Sequence, residues 1–126
     1  MLAFSEGGAT DDFGTIKYDS SGAQQWIQMY DSPAHIADEA LSIAVDASGN
    51  SYVVDYGNGL TSGADLTTIK YDTGGVQQWI EAFDGRANST DTGFGIRLDE
   101  QGNVYVSGGS IGIDTSVDYI TIKYSE

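Results

Sequence analysis

The sequence predicts an all-β fold built from repeated antiparallel strands, and three observations support this prediction. The tetrapeptide Thr-Ile-Lys-Tyr stands at residues 15–18, 68–71 and 121–124, so the copies are 53 residues apart (68 − 15 = 53 and 121 − 68 = 53). Such internal repetition is the sequence sign of a repeat architecture. No segment keeps a helical spacing of apolar residues for the length that a helix needs. Seventeen glycines against one proline indicate many turns between short strands.

Nine short strands are predicted along the chain, each from a run of alternating or β-branched apolar residues. In the second strand, Trp26 and Tyr30 are expected on one side, with Ile27 and Met29 on the other. The third strand alternates bulky and small residues, which suits burial on both faces. The predicted strands cover residues 12–18, 24–30, 40–46, 51–55, 65–71, 76–83, 93–99, 103–108 and 118–124.

Connections of two lengths alternate between these strands. The short ones are 19–23, 46–50, 72–76 and 99–103, each starting with Asp and containing Gly, which are preferred turn residues. The long ones are 31–39, 56–64, 84–92 and 109–117. In an up-and-down arrangement all long connections gather at one edge, and binding usually falls to longer loops on a rigid scaffold. The candidate ligand-binding residues are therefore Asp31, Asp38, Glu39, Asp84, Asp91 and Asp114.

Acidic residues recur at repeat-equivalent positions near these long connections, and two interpretations stay open. The recurring sets are Asp12, Asp65 and Asp118, then Asp31 with Asp84, and Asp38 with Asp91. One interpretation is a ring of carboxylates that binds Ca²⁺ or a basic partner. The other is that each Asp accepts hydrogen bonds from backbone N–H groups of its own turn. Ca²⁺ takes about 6 to 8 oxygen ligands, and an Asp-x-Asp-x-Asp-Gly run is absent. No cofactor is predicted beyond this open question of Ca²⁺.

Composition excludes several functional classes. Five basic against 19 acidic residues give a net charge of −14, which disfavours nucleic acid and anionic lipid as partners. Cysteine is absent, and no apolar run approaches the roughly 20 residues that cross a bilayer. His35 is the single histidine, and a glycosidase-type pair such as Asp38 with Glu39 or Asp91 arises easily by chance among 19 acids. The chain is therefore predicted not to be an enzyme and not to insert into membranes.

Residues 46–53, 65–72 and 75–80 resemble the bacterial β-propeller repeat called SBBP. Its pattern is roughly IAVD-x-x-GN-x-YV-x-G … D-x-x-x-x-KYD-x-x-G-x-x-x-W, and residues 96–108 match it again. The first copy departs from the pattern at Asp55, where Gly is preferred. The resemblance implies four-stranded antiparallel blades in a secreted or surface-attached bacterial protein, and it brings no catalytic residues. Residues 1–8 lack the basic and apolar regions of a signal peptide.

In this frame the chain holds about 2.25 blades. Residues 1–11 are the end of an incomplete repeat and a loop, and 12–39 are the outer half of one blade with its connection. Residues 40–92 are a complete blade with its connection, and 93–126 are three strands of a further blade. Trp26 and Trp79 are interpreted as packing between blades rather than as sugar-stacking groups.

Propellers need about 4 to 8 blades to close, so the chain is expected to join further blades of a longer chain or copies of itself. The function predicted from the resemblance is a non-catalytic module for binding or structural scaffolding, with a protein or carbohydrate as ligand. The alternative is a self-assembling structural protein that forms a ring or filament. In that alternative the last strand exchanges with a neighbour, and its residues are Asp118, Tyr119, Ile120, Thr121, Ile122, Lys123 and Tyr124.

Overall fold

The protein is all-β, as predicted. The structure is a computed structural model that describes residues 2–5, 12–33, 38–58, 63–85, 89–113 and 116–125. Within these ranges no helix is long and apolar enough to cross a membrane. The strands are β1 (Leu2–Ser5), β2 (Asp12–Tyr18), β3 (Gln24–Tyr30), β4 (Glu39–Val45), β5 (Ser51–Asn58), β6 (Ala64–Tyr71), β7 (Gln77–Phe83), β8 (Asp91–Leu98), β9 (Val104–Ile111) and β10 (Val117–Tyr124). The nine predicted strands correspond to β2–β10, and β1 is a short addition.

The strands form three antiparallel sheets, in chain order. The N-terminal sheet is β1-β2-β3, the central sheet is β4-β5-β6-β7, and the C-terminal sheet is β8-β9-β10. The central sheet has the four strands predicted for one complete repeat. The three sheets are separate, and they do not close on themselves within the described residues.

The sequence repeat is also a repeat of strand register. Phe13 pairs with Tyr30 between β2 and β3, and Leu66 pairs with Phe83 at the equivalent place between β6 and β7. Both hairpins have an irregularity at the same step, next to Lys17 and next to Lys70. The β4–β5 and β8–β9 pairs likewise share one bulge position. Residues 53 apart therefore occupy equivalent environments within their sheets.

Two apolar layers hold the sheets together, and they are equivalent by the repeat. For each sheet, the forward face is the side towards the next sheet along the chain, and the rear face is the opposite side. The first layer joins the forward face of the N-terminal sheet to the rear face of the central sheet, through Phe13, Trp26, Tyr30, Ala40, Ile43, Val53, Ile69 and Tyr71. The second joins the central and C-terminal sheets, mainly through Tyr52, Val54, Leu66, Trp79, Ile96, Val104, Val106, Ile122 and Tyr124.

The two tryptophans pack between sheets, as the sequence predicts. The Trp26 ring lies 6.0 Å from that of Tyr71, and the equivalent Trp79 ring lies 5.6 Å from that of Tyr124. These centroid distances are typical of favourable aromatic pairs. The Trp26 Nε1–H also donates to the Thr73 carbonyl at 3.0 Å. Each tryptophan thus joins one sheet to the next.

Two expectations about the strands need correction. The strand at 40–46 is not buried on both faces: most of β4 is half-buried and Val45 is exposed. The reason is that β4 is an edge strand of the central sheet rather than an interior one. The long connections are also shorter than predicted, because β5 continues to Asn58 and β9 to Ile111.

The four short turns share one hydrogen-bonded design. In each turn the first residue is Asp, and its Oδ1 accepts from the backbone N–H groups two and four residues later, as for Asp72 with Gly74 and Val76 at 2.9 Å. The glycine at the fourth position has positive φ in all four turns, and Gly75 has φ +86°. A side chain is strained in this backbone conformation.

Replacing Gly75 with Ala is expected to destabilise the protein by about 2 kcal/mol or more, because a Cβ is strained at positive φ. That Cβ would also lie 2.8 Å from the Trp26 ring. Gly74 is the matched control, because it has no positive φ and its Cβ would meet only Asp72 Oδ1, at an ordinary 3.5 Å. Urea unfolding of both variants checks this. Equal stability of the two variants would contradict the turn geometry.

Candidate functional site

Three carboxylates meet at the edge where the long connections lie, between the N-terminal and central sheets. Asp12 begins β2, Asp31 follows the end of β3, and Asp38 precedes β4. One oxygen from each side chain lies within 4.8 Å of the other two. We call these residues the first carboxylate cluster. It brings together both partners of one sheet junction.

A second cluster repeats this arrangement 53 residues later, between the central and C-terminal sheets. Asp65 lies near the start of β6, Asp84 follows β7, and Asp91 begins β8. Their carboxylate oxygens also lie within 4.8 Å of one another. In both clusters the first member is half-buried, the second exposed and the third buried. We call these residues the second carboxylate cluster.

The buried member of each cluster is held by a backbone N–H group. Ser32 N–H donates to Asp38 Oδ2 at 2.6 Å, and Gly85 N–H donates to Asp91 Oδ2 at 2.6 Å. Each of these bonds spans one long connection and fixes the carboxylate at the sheet edge. The other oxygen of Asp38 is buried and accepts no hydrogen bond from any described residue, and the same is true of Asp12 Oδ1.

The environment disfavours a negative charge on Asp38. Burial raises the pKa of this carboxyl above its usual value, and the nearby Asp31 and Asp12 carboxylates raise the pKa further. The hydrogen bond from Ser32 opposes the pKa shift in part. Three like charges at this separation repel one another, so the cluster is costly unless a positive charge or protons neutralise it.

Each cluster has one buried serine. In the first cluster it lies in the long connection, and in the second it lies in β9. In the first cluster Ser32 is buried beside Asp38, and the residue that is repeat-equivalent to position 110 is Gly57. In the second cluster the identities are exchanged, to Gly85 and Ser110. A Cβ at Gly85 would lie only 2.7 Å from Asp91 Oδ1 and would overlap the Ser110 hydroxyl. The exchange therefore preserves one hydroxyl beside each buried Asp.

Asp55 lies behind the first cluster, in the middle of β5. It is fully buried (0% exposed), and neither of its oxygens has a hydrogen-bond donor at good geometry among the described residues. Burial and, to a smaller extent, the charge of Asp38 raise the Asp55 pKa to about 8, and the neighbouring Thr67 opposes this shift in part. Burial and the charge of Asp55 in turn raise the pKa of Tyr71 to about 12. Asp55 is therefore predominantly protonated at neutral pH.

The predicted binding residues divide into three groups. Asp31, Asp38, Asp84 and Asp91 belong to the two clusters. Glu39 begins β4 with an exposed side chain, and Asp114 lies outside the described residues.

The predicted exchange strand pairs with β9 of its own chain, because Asp118, Tyr119, Ile120, Thr121, Ile122, Lys123 and Tyr124 lie in β10. Its Ile120, Ile122 and Tyr124 pack towards the central sheet. Tyr119 points away from that core and is exposed.

Asp12 and Asp65 were predicted only within the open interpretation of a carboxylate ring, and Asp55 was not predicted as a site residue. Asp12 and Asp65 recur at the start of a strand, and this recurrence was a usable signal, because both join the clusters. Asp55 gave a weaker signal, as an acid directly after the apolar run 52–54 and as a departure from the repeat pattern. Its burial depends on the neighbouring sheet, which a single strand pattern does not show.

A search of protein-family models found no match to the chain, and a search of curated protein sequences found none either. The architecture and the two clusters are therefore the basis for the functional argument.

Proposed function

We propose that the chain is a non-catalytic repeat module whose sheets stack as the blades of a β-propeller do, serving binding or structural scaffolding in a secreted or surface-attached bacterial protein. The observation that carries this proposal is the repeated sheet-to-sheet layer. Two junctions use residues 53 apart in the same roles, with Trp26 against Tyr71 and Trp79 against Tyr124. Because repeat-equivalent residues form both junctions, a further sheet of the same sequence can pack on the terminal sheet in the same way.

The outward faces of the two terminal sheets support such continuation. On the forward face of the C-terminal sheet, Tyr105 and Tyr119 occupy the positions that Tyr52 and Leu66 fill in the central sheet. Tyr119 is 81% exposed, whereas Leu66 is 0% exposed. On the rear face of the N-terminal sheet, the exposed apolar side chains are Tyr18, Ile27 and Met29. One end therefore presents a forward face and the other a rear face.

Self-assembly is the second candidate function, and the exposed apolar residues of the C-terminal sheet favour it. Phe94, Val117 and Tyr119 are each more than 60% exposed. A forward face that packs on the rear face of another chain is a head-to-tail contact, which forms rings when the rotation closes and filaments when it does not. In this case other copies of the chain supply the additional blades that a closed propeller needs.

The long-loop edge is the candidate surface for a protein or carbohydrate ligand in either case. It carries both carboxylate clusters, and its acidity favours a basic partner. The opposite edge consists of short turns whose Asp side chains are already hydrogen-bonded to their own backbone.

Light scattering on a sizing column tests the proposal. A discrete oligomer of a few chains is the expected result for closed propeller-like stacking, and filaments in the void volume are expected for open self-assembly. A monomer of 13.4 kDa at all concentrations would contradict self-assembly of this chain.

Appending one further 53-residue repeat to the C-terminus of the chain tests stacking within a longer chain. A failure of that repeat to fold onto the C-terminal sheet would contradict the module.

Mixing of two blocked variants tests the head-to-tail geometry. Tyr119→Arg blocks the forward end, and Ile27→Arg with Met29→Arg blocks the rear end. We expect each variant alone to be monomeric and the mixture to form a complex of one chain of each, because each retains the face that the other lacks. Glu100→Arg, on an exposed short turn, controls for the change in net charge. Full-size assembly of either blocked variant alone would contradict head-to-tail packing.

A further inference from the structure

We propose that each carboxylate cluster binds one divalent cation of the size of Ca²⁺, and that each ion joins two neighbouring sheets. The ligands are Asp12, Asp31 and Asp38 in the first cluster, and Asp65, Asp84 and Asp91 in the second. This inference goes beyond the module function, because it does not depend on any contact between chains.

The spacing of the oxygens fits a calcium-sized ion. Ca²⁺ binds oxygen at about 2.3–2.6 Å, so two ligands of one ion are separated by at most about 4.8 Å when each bond is about 2.4 Å. One oxygen of each carboxylate lies within 4.8 Å of the other two, in both clusters. The oxygens are thus close enough for one ion of this size to contact all three carboxylates of a cluster.

In the first cluster, buried oxygen atoms without donors are the independent observation that points to a cation, and the second cluster follows as its repeat equivalent. Asp38 is 1% exposed, and its Oδ1 has no hydrogen-bond partner in the described part of the chain. The buried hydroxyl of Ser32, which is 3% exposed, lies beside Asp38 and makes no hydrogen bond of good geometry there. Buried polar atoms without a partner are rare in native proteins, where water or an ion normally satisfies them. An ion between these carboxylates would satisfy the negatively charged oxygens directly.

The exchange between serine and glycine strengthens this assignment. A residue that only fills space at the long connection would not need its hydroxyl to reappear from the facing strand. Ser32 with Gly57 and Gly85 with Ser110 keep one hydroxyl beside each buried Asp. Hydroxyl, carbonyl and water oxygens complete calcium shells in which carboxylates supply the charge.

The position of the clusters gives the ion a structural role. In the first cluster Asp12 comes from the N-terminal sheet, and Asp38 directly precedes β4 of the central sheet. In the second, Asp65 comes from the central sheet and Asp91 begins β8 of the C-terminal sheet. An ion bound by both would hold adjacent sheets at the edge opposite the short turns. Because such a site exists only in the folded chain, binding raises the melting temperature.

Calorimetric titration with CaCl₂ tests the inference, on protein freed of metal with EDTA and kept at constant ionic strength with MgCl₂ present. Two ions per chain are expected. Asp31→Asn and Asp84→Asn change exposed members of the clusters, so folding should persist, and each should weaken its own site at least tenfold. Each single variant is then expected to bind one ion tightly, and the double variant none. Glu100→Gln removes one exposed charge away from both clusters and should keep both sites.

The melting temperature gives a second readout. CaCl₂ should raise the melting temperature of the wild type and of Glu100→Gln. It should raise the melting temperature of the single variants by less, and it should leave that of the double variant unchanged. Binding of fewer than two ions by the wild type would overturn the proposal. Ca²⁺ binding or a shift in melting temperature that persists in the double variant would also overturn the proposal, because it would show that Ca²⁺ binds through the net charge of −14 and not at the clusters.

Discussion

Leu66→Ala is expected to destabilise the protein by about 2–5 kcal/mol, the range for removing a buried leucine side chain and leaving a cavity. Leu66 is 0% exposed and lies in the apolar layer between the central and C-terminal sheets. Gly93 is packed directly beside it, since a Cβ added at Gly93 would lie 3.2 Å from Leu66 Cγ. Because the Gly93 backbone is already packed against Leu66, it can shift little, and the cavity left by the Leu66 side chain should remain largely open. Urea unfolding of the variant measures the loss.

Tyr119→Ala is the matched control, because residue 119 is the repeat equivalent of residue 66 (66 + 53 = 119). Tyr119 is 81% exposed, so its truncation should change the stability of the isolated chain by less than about 0.5 kcal/mol. Both variants are compared at low protein concentration, where association between chains does not contribute. A loss at Tyr119 as large as that at Leu66 would show that the C-terminal sheet is covered in solution.

This pair illustrates which parts of the fold the sequence predicts. Alternation within strands and the Asp-to-Gly turns are local properties, and the repeat multiplies each of them, so nine strands and four short turns are predicted correctly. Whether a face is covered is not local. Leu66 and Tyr119 occupy the same register position, and only the presence of a neighbouring sheet separates a buried residue from an exposed one.

The candidate site shows the same division. Recurrence of acids at a spacing of 53 residues identifies Asp31, Asp38, Asp84 and Asp91 as a set. Both interpretations of that recurrence find a counterpart in the structure, because Asp38 and Asp91 each accept one backbone N–H bond, and each also stands in a carboxylate cluster. The meeting of Asp12 with Asp38 depends on the packing of two sheets. Periodicity within a strand carries no information about that contact.

Asp55→Asn is expected to stabilise the protein at neutral and mildly alkaline pH. In the folded chain Asp55 is fully buried, and its pKa rises from the usual 3.8 to about 8. Between these two pH values the folded state binds a proton that the unfolded state has released, so stability falls as pH rises through this range. Below the lower value the carboxyl is neutral in both states and costs nothing. Asparagine carries no charge at any pH and removes this penalty.

The size of the effect follows from the pKa difference. Each pKa unit corresponds to about 1.4 kcal/mol, so the stabilisation should grow from near zero at acid pH to roughly 5 kcal/mol around pH 8, less whatever the new amide N–H groups lose for want of acceptors. Urea unfolding across this pH range, with EDTA present to keep cations from the nearby first cluster, measures it.

Asp99→Asn is the control of opposite sign. Hydrogen bonds from Asn103 lower the pKa of Asp99, so that its charge stabilises the fold above its unfolded-state pKa, and this stabilisation is lost as pH falls through the lower folded-state pKa. Asparagine at position 99 should therefore destabilise the protein at neutral pH, while asparagine at position 55 stabilises it. If the effect of Asp55→Asn on the free energy of unfolding does not become more favourable between acid pH and pH 8, the Asp55 carboxyl does not have a raised pKa in the fold.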